Sequence, residues 1–422
     1  MIGNPQLDSH SIIDAQLLNA VYKNAVHVFI TEDKEIHRFA SKLGIENRVL
    51  DIVTALADFD NKAARMHDHF RIKPDFMYNI DYLDPFFDSL REDYGIVKFN
   101  DWFLKKSRDG RKCWVHRTNH KLKAILILKD EDEEIALINK APLRRKPRLK
   151  IATLKVACKG YRVGELLLKL AIGYSIDHNY DEIYLTHFVR ENDDLLKLIT
   201  KHGFEYIGER NCIDQKGEYE KVFLKSLFPD NAINYDPAEV NKRFYPSFID
   251  SIRVNKYIVP IQPEYHDRLF QDYKKRQTLL SDFSTDIPQG NTIRKAYLTN
   301  SHIKKIKPGD LLLFYRSKDQ HQITSIGVVE QVYYQLDDTD KIWYTVEYNR
   351  SVYTYDEVKG FKKPATVIIF RHYFNLKKPL GIKELIKHGI LSAHPQSIST
   401  LTPDQYDYIK RNGGIDGRFT FD

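Results

Sequence analysis

The chain has 422 residues, 42% hydrophobic and 12% aromatic, so a prior of about 100–200 residues per domain predicts two to four domains. Lys and Arg total 65 against 58 Asp and Glu, a net charge of +7, which favours anionic partners without the charge density of a dedicated nucleic-acid binder. Three cysteines without CxxC spacing argue against a disulfide framework and a zinc site, and no apolar run reaches the ~20 residues of a membrane span. We therefore expect a cytoplasmic protein without a signal peptide, a membrane segment or a metal centre.

The first predicted unit covers residues 1–60. Helical spacing at 11–22 and 35–43 alternates with β-type runs at 26–30 and 48–52, which predicts a small α/β unit with parallel strands. The segments around Asp14 and Asp33 resemble the C-terminal half of a PIN-type nuclease domain, a family that holds divalent metal with clustered carboxylates. The opening strand of that family, with its Asp, would lie before Met1. We therefore expect a scaffold or vestigial unit in which Asp33 caps the following helix.

The second predicted unit covers residues 75–228. Helical segments at 86–92 and 99–108 precede a β-hairpin at 112–128 and a further strand at 135–139. We interpret the acidic run 130–134 and the basic run 144–150 as solvated loop ends, with contact to an acidic substrate or a phosphate as the alternative.

A strand at 149–156 then leads through a glycine-containing loop into an amphipathic helix. Backbone N–H groups can approach phosphate oxygens closely where a residue has no side chain, and the first turn of a helix favours anions. We therefore expect Gly160 and Gly164 to clear space for a diphosphate. A strand at 182–186, a helix after Asn192 and a Gly203–Phe204 turn follow.

This order resembles a GNAT-family N-acetyltransferase, whose acetyl-CoA loop reads Arg/Gln-x-x-Gly-x-Gly/Ala and corresponds here to KGYRVG at 159–164. The resemblance implies a mixed sheet flanked by helices and acetyl-CoA as the cofactor. It assigns Asn192 to the thiol end. At the pantetheine and pyrophosphate it places Val156, Lys159, Gly160, Tyr161, Arg162, Val163 and Gly164. Arg162 stands where the family usually has Gly, so it either pairs with a phosphate or marks a weakened site.

The resemblance also implies that an acid protonates the leaving thiolate. The family often uses a Tyr shortly before the Gly-Phe turn, but the matching residue here is Ile199. We consider Tyr206 or Tyr219 as the acid and His187 or Glu191 as the base. The alternatives are a strand-end His187 bonded to backbone and a Tyr219 that packs within its strand.

The third predicted unit covers residues 255–378, followed by a helical extension at 379–422. Its β-type runs at 257–261, 311–315, 323–333, 343–348 and 366–374 predict a small barrel. The PGDLLLFY segment at 308–315, with IGVV at 326–329, resembles PUA-like barrels of the ASCH and EVE type, which commonly contact RNA or modified bases. Basic and aromatic residues here suit phosphate contacts and base stacking, with solvated strand edges as the alternative. These candidates are Arg294, Lys304, Lys305, Tyr315 and Arg316.

The sequence thus predicts an α/β and α+β multidomain protein with a partial PIN-like unit, a GNAT mixed sheet and a C-terminal PUA-like β-barrel. The predicted activity is transfer of an acyl group from acetyl-CoA to an amine on RNA, an aminoacyl-tRNA or an RNA-bound protein. The second hypothesis is a non-catalytic RNA-binding or regulatory protein with decayed GNAT and PIN modules, as in a toxin–antitoxin setting. The oligomeric state stays open.

Overall fold

The computed structural model describes residues 9–23, 26, 28–46, 48–55, 70–157, 162–214, 216–230, 234–274, 283–285, 292–346 and 352–422. The first unit alternates helix and strand as predicted: α1 (Ser9–Tyr22), β1 (Phe29–Ile30), α2 (Lys34–Lys42) and β2 (Val49–Leu50). The two strands pair in parallel. Asp33 caps α2, since its Oδ1 accepts the N–H groups of Glu35 at 2.8 Å and Ile36 at 3.3 Å.

The second unit is a mixed sheet flanked by helices. Its elements are β3 (Phe70–Phe76), α3 (Asp88–Tyr94), α4 (Ile96–Arg108), β4 (Lys112–Thr118), β5 (Lys121–Ile135), β6 (Leu143–Val156), α5 (Val163–Asp177), β7 (Glu182–His187), α6 (Asp194–Lys201), β8 (Glu205–Ile213) and β9 (Tyr219–Ser226). The strands lie in the order β3-β4-β5-β6-β7-β9-β8. Neighbours are antiparallel except β6 and β7, which are parallel and connected by α5.

The third unit is built on a six-stranded sheet. Its elements are α7 (Pro237–Arg243), β10 (Phe248–Ile249), β11 (Lys256–Ile261), α8 (Pro263–Leu269), α9 (Gln271–Lys274), β12 (Phe283–Thr285), β13 (Arg294–Thr299), β14 (Leu311–Arg316), β15 (Gln322–Leu336), α10 (Thr339–Thr345), α11 (Tyr355–Gly360), β16 (Ala365–Gly381), α12 (Ile382–Lys387), β17 (Ser399–Leu401), α13 (Pro403–Gly413) and β18 (Thr420–Phe421). The predicted strand at 343–348 is wrong for residues 343–345, which belong to α10, a helix capped by Asp338. Residues 347–348 lie outside the described residues. Strand β12 does not belong to the six-stranded sheet, because it pairs with β3 of the second unit.

This sheet is open rather than a closed barrel within the described residues. Its order is β13-β16-β15-β14-β11-β17. The long strands β15 and β16 carry four register shifts, and such bulges bend and twist a sheet. The prediction of a barrel is therefore corrected to a bulged, open sheet whose edges are β13 and β17.

One hydrophobic core runs through both large units. It contains Leu167 of α5 and Phe204 before β8, continues through Tyr245 and Phe248, and includes Leu313 of β14. Separate domains usually meet through smaller and more polar contacts. The second and third units therefore share a core, although the sequence divides them.

A buried charge cluster of the third unit contacts the second unit at the same junction. Glu330 of β15 accepts hydrogen bonds from Arg294 Nε at 2.7 Å and from Arg371 Nε at 3.2 Å. The fully buried Arg371 also donates to the carbonyl of Lys201 at the end of α6, 3.1 Å away. Burial alone would raise the pKa of Glu330, but the two guanidinium groups lower it overall. Glu330 is thus the counter-charge of two arginines at the junction.

We predict that Glu330→Gln destabilises both large units together. The substitution leaves two buried guanidinium groups without their carboxylate, at a cost of about 3 kcal/mol. Urea unfolding is followed by tryptophan fluorescence, from Trp102 and Trp114 in the second unit and Trp343 in the third. It should show one transition, with its midpoint at a lower urea concentration than in wild type. The exposed Glu133→Gln is the control and should stay within about 0.5 kcal/mol of wild type. Separate transitions for the two units would contradict a shared core.

Candidate active site where two parallel strands diverge

Strands β6 and β7 pair over a short distance and then separate. Their register covers three pairs, from Leu149 with Ile183 to Ile151 with Leu185. Beyond this point β6 continues to Val156 and β7 to His187. Open α/β sheets bind ligands in such crevices, outside the carboxyl ends of the strands. The topology therefore places a crevice between β6 and β7.

A β-bulge in β6 coincides with this divergence. Ile127 of β5 pairs with Thr153, whereas Leu128 pairs with Ile151, which leaves Ala152 without a partner. A bulge bends its strand and re-aims the residues that follow it. The bulge occurs directly after Ile151, the last residue of β6 that pairs with β7. The bulge and the start of the crevice therefore coincide.

Helix α5 begins at the same crevice. Its N-cap residue, Arg162, has a left-handed backbone (φ 50°) and makes no side-chain cap bond. This conformation suits glycine better than other residues, which is consistent with the Gly usual at this position of the motif. The first N–H groups of a helix without a side-chain cap favour an anion. Lys159, Gly160 and Tyr161 lie outside the described residues.

Gly164 has a packing role that the sequence analysis missed. A Cβ built on Gly164 would lie 2.8 Å from Leu198 Cδ2 of α6. The missing side chain therefore lets α5 approach α6, and the expectation that Gly164 also clears space for a phosphate stays a prediction. Val163 is buried in the core, and Val156 packs partly buried against it.

His187 at the end of β7 forms a pair with Asp193, the N-cap of α6. The His187 Nε2 lies 2.6 Å from Asp193 Oδ2, and Asp193 Oδ1 accepts the Leu196 N–H at 2.8 Å. Burial alone would raise the pKa of Asp193, but these bonds, His187 foremost, lower it to about 2. Glu191 and Asn192 lie exposed in the loop between the pair.

Arg190 fastens this loop to two other elements. One of its terminal nitrogens donates to Asp93 Oδ1 of α3 and to Asp214 Oδ2 after β8, both at 2.5 Å. The Arg190 backbone N–H also donates to Asp193, at 3.2 Å. The loop after β7 is therefore held in place by α3 and by the β8–β9 turn.

Sequence analysis missed a second acid–base pair, Tyr94 with Glu220. The Tyr94 hydroxyl donates to Glu220 Oε1 at 2.6 Å, and Glu220 is only 4% exposed. Burial, followed by the Glu220 charge, raises the pKa of Tyr94, so its phenol stays protonated at neutral pH. The sequence contains a signal for this pair, because Glu220, Val222 and Leu224 are spaced two residues apart and so share one face of β9. A carboxylate on an otherwise apolar, inward-facing side of a strand is a candidate functional group.

The two tyrosines predicted as acids, Tyr206 and Tyr219, lie on other strands than His187. Tyr206 is half exposed on β8, two strands away from β7, and burial and Glu209 raise its pKa. Tyr219 is 39% exposed at the start of β9, opposite Ile213. Ile199, at the usual acid position, is fully buried. No described hydrogen bond connects either tyrosine hydroxyl to His187.

The predicted nucleic-acid residues divide into buried and exposed groups. Arg294 is 5% exposed and bonded to Glu330, and Tyr315 is fully buried with its hydroxyl 2.9 Å from His394 Nδ1. Arg316 is 5% exposed and bonded to Asp319. Because these three side chains are engaged inside the protein, they are corrected to structural roles. Lys304 and Lys305 are exposed.

The described part of the chain contains no group of three His, Cys, Asp or Glu side chains arranged to hold a metal ion. Asp14 and Asp33 therefore belong to no such group there. Among the same residues, no helix is both long and apolar enough to cross a bilayer.

Comparison with known proteins identifies an EVE domain model over residues 291–412. No curated protein matches the chain. Among solved structures, ASCH from Zymomonas mobilis is 13% identical, with a TM-score of 0.28 over 37% of this chain and 94% of its own. A GNAT family acetyltransferase from Elizabethkingia anophelis with acetyl-CoA bound is 16% identical, with a TM-score of 0.26 over 37% of this chain and 97% of its own. An N-acetyltransferase from Staphylococcus aureus Mu50 is 14% identical, with a TM-score of 0.27 over the same shares.

We predict that the Asp193 carboxylate makes stability depend on acid pH. Its folded pKa of about 2 lies below the ordinary 3.8, so its contribution is complete above pH 4 and disappears as pH falls toward 2. The expected size is about 2 kcal/mol. Asp193→Asn keeps a cap for α6 but removes the titrating charge. Urea unfolding between pH 6 and pH 2 should show wild type losing this increment and the variant lacking it. Parallel curves would contradict the assignment.

Proposed function

We propose that the chain is an acetyl-CoA-dependent N-acyltransferase, in which the EVE-containing third unit helps to select an RNA-linked acceptor. The observation that carries the proposal is the short pairing of β6 with β7, which ends at the Ala152 bulge beside the first turn of α5. A crevice and a helix N-terminus at one point suit a ligand with a diphosphate at one end and a slender, amide-bearing arm.

The cofactor would extend from α5 into the crevice. N–H groups of the first turn of α5 and of the loop at 159–161 would bind the diphosphate, with Arg162 as an added positive charge. The edge of β6 beyond Ile151, which no longer pairs with β7, would offer backbone groups to the pantetheine amides. Val156 would contact the pantetheine, and Asn192 would lie near the thiol end.

The two side-chain pairs would then divide the proton transfers. The acceptor nitrogen attacks the thioester carbon, the new C–N bond forms, and the C–S bond breaks to release the CoA thiolate. Glu220 would take the proton from the amine. His187, held by Asp193, would serve as the acid rather than as the base considered from the sequence, and would return a proton to the sulfur. His187 lies on the α5 and α6 side of the sheet with Asp193, whereas Glu220 lies on the α3 side with Tyr94. Base and acid would thus approach the reacting centre in the crevice from opposite faces of the sheet.

The shared core supports a role for the third unit in acceptor choice. Glu165 in the first turn of α5 accepts the backbone N–H of Arg294 in β13 at 3.0 Å. Burial alone would raise the pKa of Glu165, but His202 and nearby arginines lower it. The helix that would bind the cofactor therefore rests directly on the EVE-containing unit.

Calorimetry with acetyl-CoA and two Arg162 variants tests the proposal. Arg162→Glu puts a negative charge beside the diphosphate and should weaken binding about tenfold or more. Arg162→Gly suits the left-handed backbone and keeps the N–H groups, so it should bind within a few-fold of wild type. Arg145→Glu, at the distal end of β6, is the control and should bind like wild type. A folded wild-type chain that does not bind acetyl-CoA would overturn the proposal.

We further predict that Glu220→Gln lowers turnover with little effect on acetyl-CoA binding. Gln can still accept the Tyr94 hydrogen bond but cannot remove the amine proton, so kcat should fall about 100-fold or more. Free thiol released from acetyl-CoA in the presence of a panel of amines provides the measurement. The control is Glu218→Gln, an exposed residue of the adjacent turn. Equal turnover in both variants would remove Glu220 from the mechanism.

A further inference from the structure

The third unit has a polar pocket far from the acyl-transfer crevice. It lies where the segment after β13, the end of β15 and the start of β16 meet. Its lining is Asn300, Ser301, His302, Lys304, Tyr334, Gln335, Lys362, Lys363, Pro364 and Thr366. Its first lining residue after β13, Asn300, is six residues from Arg294, or roughly 20 Å at the rise of a strand. The pocket is therefore separate from the junction of the two large units.

A β-bulge forms one wall of this pocket. Tyr333 pairs with Val367 and Leu336 with Ala365, so Tyr334 and Gln335 together oppose Thr366. Gln335 has a left-handed backbone (φ 55°), which is unusual for a residue other than Gly, Asn or Asp. Strained residues and bulges cluster at functional sites. All three residues of the bulge line the pocket.

Hydrogen bonds hold the other walls in place. The Asn300 side-chain amide donates to the carbonyl of Lys362, which ties the segment after β13 to the approach to β16. The Tyr334 hydroxyl donates to the Ile306 carbonyl at 2.6 Å, and Ser397 Oγ donates to Ser301 Oγ at 3.1 Å. The pocket is thus preformed, which lowers the cost of ordering it around a ligand.

The charge of the pocket is positive. His302, Lys304 and Lys362 are exposed at its surface, and the ammonium of Lys363 donates to neutral oxygens of Thr339 and Lys359. The lining, as far as the structure describes it, contains no Asp or Glu. Lysines beside amide and hydroxyl groups, in a described lining without Asp or Glu, suit a phosphate, because the cations attract its charge and the neutral groups direct its oxygens.

We propose that this pocket binds a phosphate group, with Lys304 and Lys362 as its principal cations. The phosphate would belong either to the backbone of a single-stranded RNA or to a free nucleotide. The inference deepens the acceptor part of the proposed function but does not depend on acyl transfer. Its location separates it from Arg294, Tyr315 and Arg316, which are buried elsewhere in the unit.

Fluorescence anisotropy with a labelled single-stranded RNA of about 12 nucleotides tests the pocket. We expect Lys304→Glu/Lys362→Glu to weaken binding more than tenfold at about 0.1 M salt, since two phosphate-directed cations are reversed. The slope of log affinity against log salt should also fall by about 1.4, at about 0.7 for each phosphate contact to a single strand. The control Lys383→Glu/Lys387→Glu changes the net charge equally on exposed residues of α12 and should stay within about threefold of wild type.

Competition with millimolar AMP distinguishes the two sources. Displacement of the RNA by AMP, lost in the pocket variant, assigns the site to a nucleotide phosphate. Retained RNA binding in the presence of AMP assigns it to the RNA backbone. Thermal melting confirms that each variant is folded. Equal loss in pocket and control variants, or no binding of either probe to wild type, overturns the inference. Acetyl-CoA calorimetry on the same samples reports separately on acyl transfer.

Discussion

The parallel pairing of β6 with β7 is the constraint on which the candidate site depends. It extends over three residue pairs and ends at a bulge, so two strands of one sheet separate without breaking the sheet. A longer pairing would close the crevice, and the first turn of α5 would then face a strand edge instead of an opening. Because α5 connects the two strands, its N-terminus must lie at their carboxyl ends. Ligand site and fold therefore follow from the same few residues.

The groups around the crevice are held by contacts among several elements. Asp193 caps α6 and at the same time bonds His187, so the start of a helix orients a strand-end histidine. Arg190 connects the same loop to Asp93 and Asp214. Such shared contacts keep side chains close to one geometry, and catalysis by proton transfer needs that precision. The two acid–base pairs lie on opposite faces of the sheet, as suits a reaction in which acceptor and thiol approach from different sides.

The third unit supports the site as well as carrying its own pocket. Glu330 neutralises two buried arginines at the junction, and Glu165 of α5 bonds the backbone of β13. The helix proposed to bind the cofactor is consequently packed against the EVE-containing sheet. The hydrogen bond from Arg371 to the carbonyl of Lys201 links this buried cluster to the end of α6. A phosphate bound at the far end of the same sheet would be held by a unit that also contacts the proposed acyl-transfer site.

The amino-acid pattern alone determined much of the order of elements. Periodicity and glycine positions predicted the strand–loop–helix segment, the capping role of Asp33 and the helical extension after 379, since these depend on local spacing. The charged runs at 130–134 and 144–150, interpreted as loop ends, instead lie within β5 and β6. The first unit formed its predicted parallel strands, while its PIN-like resemblance stays a prediction. The run at 343–348 was wrong for residues 343–345, because β-type composition cannot reveal that Asp338 caps a helix there.

Only the tertiary structure decided which side chains meet. Tyr94 and Glu220 are 126 positions apart, and no local pattern pairs residues at that separation. Gly164 was assigned to phosphate binding from the motif, and only the structure shows that it also lets α5 approach α6. Arg294 and Arg316 were candidates for nucleic-acid contact, and only the structure shows that Glu330 and Asp319 bind them inside the protein. Spacing along a chain reports the face of an element, whereas burial and ion pairing depend on what covers that face. The sequence therefore predicted the loop and the fold of the candidate site. The side-chain pairs around it could be identified only from the packed structure.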